Sequence, residues 1–301
     1  MPVVRRSFAA MLLIALPAAA CAHPGHVHGE LPGWTLDASV TLPLALALLL
    51  YGVGLARLGG RSRQGHARLR REARLFGAGW LVLAIALVSP LHEAGERSFT
   101  MHMIEHELIM LVAALLLAIS GAGPVLLWGL PTGARRGIGR LLHAPAIKAS
   151  WRGVSGPWIA TALQAIALWL WHAPALFDRA LASEGWHIVQ HLSFLITALL
   201  FWWSIDQTQA RGRFGVAVFC LLLTACVGAA LGALMALSSS PWYAGYAVMG
   251  MTPYGLTPEQ DQQMAGLIMW IPGGIVHMGA ALVILYRWLA PQERRHAVAM
   301  D

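Results

Sequence analysis

Two histidine pairs of identical spacing, His102 with His106 and His187 with His191, carry the clearest chemistry in the 301-residue chain. Residues i and i+4 share one face of an α-helix, so each pair sets two imidazoles about 6 Å apart along the helix axis. Two such helices facing each other offer three or four nitrogens to one ion. Met101 and Met103 flank His102, and thioethers are soft donors that favour Cu(I) over zinc or magnesium. His172 and His92 end neighbouring apolar stretches and extend the same shell, His92 as its least certain member. A third group, His23, His26 and His28 within HPGHVHGE, reads either as a metal-capturing tract, by density of imidazole alone, or as a polar tail. The expected metal is copper, with His102, His106, His187, His191, His172, Met101, Met103, His23, His26 and His28 as candidate ligands.

Other chemistries fit less well. One histidine from each pair could hold the iron of a haem b by bis-imidazole ligation, which makes a membrane redox protein the main rival. His102-Met103-Ile104-Glu105-His106 reads as HxxEH, an inverted zinc-peptidase pattern, but no obvious third carboxylate ligand accompanies it. Cys21, Cys220 and Cys226 are too few and too scattered for a disulfide framework or a CxxC site. His277 falls within an apolar run and is expected to be a packed, hydrogen-bonded residue.

The elements that must position these residues are membrane helices. Hydrophobic residues make up 57% of the chain and charged ones 12%, about half the charge of an ordinary soluble domain. Apolar stretches at 39–57, 75–91, 100–120, 154–173, 186–205, 214–237 and 264–289 are each long enough for a tilted span. An all-α bundle of seven transmembrane helices follows, because only helices satisfy their own backbone in lipid. Of the 21 Lys and Arg, 17 fall in 57–74, 131–152, 206–213 and 287–301, on one side of the bundle. By the positive-inside rule that side is cytoplasmic, which puts the mature N-terminus outside and the C-terminus inside. The net charge of +7 therefore expresses topology, and no solvated domain exists to bind nucleic acid. Nine of the 13 histidines fall on the outer, periplasmic side, the reverse of the arginine bias.

Residues 1–22 have the basic start, short apolar run and small-residue exit of a secretory signal. Cleavage before Cys21 or before His23 both fit, the first permitting lipidation of Cys21. The expected order is thus a signal at 1–22, a His-rich outer segment at 23–38, the transmembrane domain at 39–289 and a cytoplasmic tail at 290–301. Several tryptophans, among them Trp171, Trp202 and Trp203, lie near span ends and read as interfacial belts. Gly228 and Gly232 form GxxxG, which permits close helix contact within or between chains. Pro272-Gly273-Gly274 is expected to break the seventh span. With no inward acidic residue anticipated, a proton or ion relay is not expected.

Four segments together resemble one family: MHMIEHELIMLVAALLL at 101–117, WHAPALFDRAL at 171–181, WHIVQHLSFLITALLFWW at 186–203 and DQQMAGLIMWIPGG at 261–274. Their order and joint presence are those of the polytopic CtaG-type cytochrome c oxidase assembly factors. The resemblance places His102 and His106 in the family's HMxxH, His172 in its WHxP, His187 and His191 in its second pair, and Asp261 and Gln262 in its outer DQQ. Glu105, often Gln in the family, and His277 depart from the pattern. The resemblance implies a non-enzymatic protein of the bacterial inner membrane that assists metal-centre maturation of a terminal oxidase. Its implied partners are oxidase subunits or a periplasmic copper chaperone, with inward copper transport as a further alternative.

Overall fold

The computed structural model describes residues 32–60 and 66–300, with side chains as far as residue 290. His23, His26 and His28, and the expected signal, lie outside the described residues. No strand occurs among those described. The chain runs through α1 (Ala38–Gly59), α2 (His66–Val88), the short α3 (Pro90–Arg97) and α4 (Phe99–Glu107), which continues through a π-helical turn (Leu108–Ala113) into α5 (Ala114–Ser120). There follow α6 (Gly123–Gly129), α7 (Thr132–His143), α8 (Pro145–Val154), α9 (Pro157–Trp171) and α10 (Pro174–Leu181). The last four are α11 (Glu184–Ala210), α12 (Phe214–Ala236), α13 (Ala244–Met249) and α14 (Pro258–Met300).

Five helical stretches are long and apolar enough to cross a membrane: Ala38–Gly59, Phe99–Ser120, Glu184–Ala210, Phe214–Ala236 and Pro258–Ala290. Two bent pairs, α2 with α3 at 45° and α8 with α9 at 68°, are long and apolar enough together, which brings the number to seven if each pair is one span. The expected second and fourth spans fall mainly on α2 and α9, the longer members of these pairs. Proline explains both bends, since it lacks an N–H and starts a helix readily but interrupts one. Pro90 begins α3 behind an extended Ser89, whose hydroxyl accepts from the amide of Leu91 at 3.3 Å. Pro157 begins α9 behind an extended Gly156.

Two sequence expectations are corrected here. First, α14 passes through Pro272-Gly273-Gly274 without a break, as suits a segment whose backbone groups have no water to turn to. The carbonyl of Gly273 accepts a hydrogen bond from His277 Nδ1 at 2.8 Å, and His277 stacks on Trp202, so that histidine is packed as expected. Second, Trp171, Trp202 and Trp203 are buried in the core rather than placed in a belt. The indole of Trp202 donates to the carbonyl of Met110 at 2.9 Å. That carbonyl lies in the π-helical turn, where the regular i to i+4 pattern is interrupted and a side-chain donor is useful. Trp34, Trp158, Trp186 and Trp288 do remain exposed, as a belt requires.

The close contact that GxxxG permits within or between chains is made inside the chain, by one of its two glycines. A β-carbon on Gly232 would lie 2.7 Å from the carbonyl oxygen of Gly266, and one on Gly266 would lie 2.5 Å from that of Gly232, whereas Gly228 has open space. α12 and α14 therefore cross backbone to backbone at Gly232 and Gly266. Contacts between helix ends fix which of them meet: Asp261 with Ser98, His187 with His102, His172 with Met103 and Gln263 with Ser238. The starts of α4, α11 and α14 and the ends of α2, α9 and α12 thus share one end of the bundle, and the arginine-rich segments share the other.

Candidate metal centre

α4 and α11 each begin at the same end of the bundle, and their first two turns carry the histidine pairs. The start of α4 is held by the opposite end of the sequence. Asp261 of α14 accepts from Ser98 Oγ at 2.8 Å and from the backbone amides of Phe99 at 2.6 Å and Thr100 at 3.2 Å. These amides are among the donors that a helix N-terminus leaves unpaired, and an acidic acceptor there also suits the helix dipole. Gln262 accepts from the amide of Trp242 at 2.6 Å and donates to Ser240 O at 3.1 Å, fixing the loop before α14. Asp261 and Gln262 thus act as positioning residues.

The two pairs converge. His102, His106, His187 and His191 each offer a ring nitrogen within 4.8 Å of the others. Ring centroids are 4.3 Å apart for His102 and His106, 4.3 Å for His187 and His191, and 5.1 Å between His106 and His191. His102 and His106 are 2% and 1% exposed, and His191 is 9% exposed. Five ring nitrogens have no hydrogen-bond partner: Nε2 of His102, His187 and His191, and both nitrogens of His106. Buried polar groups are nearly always hydrogen-bonded, and leaving one unmade costs about 1–3 kcal/mol. Four imidazoles so placed could hold a metal ion, and imidazole suits copper and zinc alike.

One imidazole of the group has its tautomer fixed by a neighbour. The hydroxyl of Tyr246 donates its only proton to the carbonyl of Gly95 at 2.5 Å, so at 3.2 Å from His102 Nδ1 it can only accept. His102 then carries its proton on Nδ1 and presents Nε2 as a free donor. Burial, aided by the Asp261 carboxylate, pushes the Tyr246 phenol well above its usual range, which keeps the hydroxyl protonated. Gly95 makes the arrangement possible, because a β-carbon there would lie 3.2 Å from His102 Cα. Tyr246 had no sequence signal: it sits on α13, between α12 and α14, in a stretch with no periodic pattern.

The remaining expected ligands divide. His172 lies beside the group, its ring centroid 6.4 Å from that of His106. Its Nδ1 donates to Leu168 O at 2.7 Å, which leaves Nε2 facing the sulfur of buried Met103 at 3.4 Å. His172 and Met103 thus form a soft adjunct next to the four imidazoles. Met101 is half-buried in the first turn of α4. His92, the least certain member, is drawn in: its Nδ1 lies 2.7 Å from Glu105 Oε1, and its ring stacks on His187 at 5.3 Å.

Inward acidic residues are present, contrary to expectation. Glu105 is fully buried among the histidines. Glu107 points toward Gly273 on α14 and lines a cavity of about 40 Å³ with Gln164, Met269 and His277. Sequence periodicity hid them because His102-Met103-Ile104-Glu105-His106-Glu107 is polar on most of its circumference, so no apolar stripe marks which face is inside. Phe177 and Phe194 stand against His102 and His106, with ring centroids at 5.1 and 4.8 Å.

The fold and site together define a polytopic helical membrane protein with a buried, histidine-lined ligand set at one end of its bundle. Residues 49–290 match the cytochrome c oxidase caa3 assembly factor family, Caa3_CtaG, and the chain belongs to it. It is similar to uncharacterized proteins of Mycobacterium bovis and Mycobacterium tuberculosis, each 27% identical over 259 residues, and to one of Mycobacterium leprae at 24%. Each alignment covers 79% of this chain and 38% of the relative, so the chain spans well under half the length of these relatives. No solved structure matches.

Proposed function

We propose that the protein binds copper, as Cu(I), in the cluster formed by His102, His106, His187 and His191, and supplies it during maturation of a terminal oxidase. The observation that carries this reading is the convergence of four imidazoles, each offering one ring nitrogen within 4.8 Å of the others and each with a buried ring nitrogen that has no hydrogen-bond partner. The Met103 thioether facing His172 Nε2 beside them favours a soft ion. Copper is here the cargo, and the task of the residues is to hold and release it, so the reading assigns binding and delivery and no catalysis. Family membership supplies the oxidase as destination, and oxidase subunits or a periplasmic copper chaperone are the proposed partners. His23, His26 and His28 would capture the ion before it reaches the cluster.

The arginine-rich end is assigned to the cytoplasm, which turns the cluster toward the periplasm of a bacterial inner membrane. The test is copper bound by the purified protein under reducing conditions, beside a variant with all four histidines changed to Ala and His23, His26 and His28 intact. Loss of about one equivalent of copper from the folded variant is expected. Unchanged binding would remove the site from α4 and α11.

A further inference from the structure

Beside the four imidazoles lies a second, overlapping group of donors. His92, Glu105 and His191 each offer a donor atom within 4.8 Å of the others. Glu105 Oε1 lies 2.7 Å from His92 Nδ1 and 3.8 Å from His191 Nε2. The other oxygen, Glu105 Oε2, is buried without a partner, as is His191 Nε2. A carboxylate in an apolar, membrane-embedded setting is costly unless a cation or several donors meet it, and one imidazole N–H meets only one of its oxygens. We propose that His92, Glu105 and His191 form a second cation position, for a borderline divalent ion such as Co²⁺ or Cu²⁺, which shares His191 with the four-histidine cluster and competes with it.

Donor chemistry separates the two positions. A carboxylate with two imidazoles suits a divalent ion harder than Cu(I), whereas four imidazoles beside a thioether suit Cu(I). Exposure orders them: the His92 side chain is 17% exposed and that of Glu105 is not exposed at all, so the divalent position is the one nearer solvent. Both groups require His191, and two cations held this close in a low-dielectric setting repel strongly. A divalent ion in the outer position therefore takes a ligand from the inner one, so occupancy of the two positions is mutually exclusive. The biological role assigned here rests on the copper reading, but the existence of the second position does not.

The test uses the full chain in lipid nanodiscs, with Co²⁺ followed by its visible d–d absorption and Cu(I) by competition with a chromogenic chelator. The wild-type protein should bind Co²⁺, and Cu(I) should displace it. Glu105→Gln should weaken Co²⁺ binding by at least about tenfold and leave Cu(I) binding nearly unchanged. His92→Asn, at the more exposed member, should do the same and serves if the buried substitution impairs folding. A His102→Ala, His106→Ala double variant should show the converse. Equal Co²⁺ binding by wild type and Glu105→Gln, loss of both ions together in either variant, or simultaneous occupancy by both ions would overturn the proposal. Co²⁺ binding as described in a protein that takes no Cu(I) would leave the second position standing and remove the copper reading.

Discussion

At the scale of single residues, ligand quality depends on partners outside the ligand set. Tyr246 settles which nitrogen of His102 is free, through one hydrogen bond accepted and one donated. Tyr246→Phe should therefore lower copper affinity by about 10–100-fold, the range for losing an outer-shell partner, with little change in helix content by circular dichroism. A smaller loss than that of His102→Ala would mark Tyr246 as a positioning residue. The paired histidines were legible in the sequence because i, i+4 spacing is a property of a single helix. Tyr246, Asp261 and the inward turn of Glu105 were not, because each acts across elements distant in sequence: 144 residues separate Tyr246 from His102, and 163 separate Asp261 from Ser98. The resemblance marked Asp261 as a matching position without giving its work, which is to hold the N-terminus of the ligand-bearing helix.

At the scale of elements, span lengths follow from hydropathy, whereas the features that aim the site follow from packing. Apolar length placed the helices well, yet the bends at Ser89 and Gly156 and the π-helical turn at Leu108–Ala113 carry no signal in average hydropathy. The unbroken course of α14 through Pro272-Gly273-Gly274 is likewise set by its neighbours, chiefly the α12 crossing at Gly232 and Gly266. Gly232→Ala should destabilise the protein by about 1–3 kcal/mol, the usual cost of forcing atoms into a packed contact. Gly228→Ala, where space is open, should be neutral within about 0.5 kcal/mol. Reversible unfolding of the two variants in mixed micelles would compare them directly, and equal effects would place the close crossing elsewhere. Since α14 carries Asp261, a loosened crossing at Gly232 should also disturb the start of α4.

At the scale of the whole molecule, charge and histidine are sorted to opposite ends. That sorting was legible from the sequence alone, since consecutive spans alternate and the loops need only be counted. The convergence of the two histidine pairs was not, because the packing order of helices is a tertiary property. A membrane-impermeant chelator added to copper-loaded protein in sealed, right-side-out vesicles should reach the ion from outside and fail to do so in inverted vesicles, which checks the proposed sidedness. The burial of His102 and His106 has a consequence for timing as well as for affinity. An ion enclosed this way leaves only when the surrounding helix ends part, so its removal should become first order in protein and independent of chelator once the chelator is abundant. A docking partner that parts those ends would then act as a catalyst of release, and the residence time of the ion would be set by the encounter rather than by the strength of its bonds.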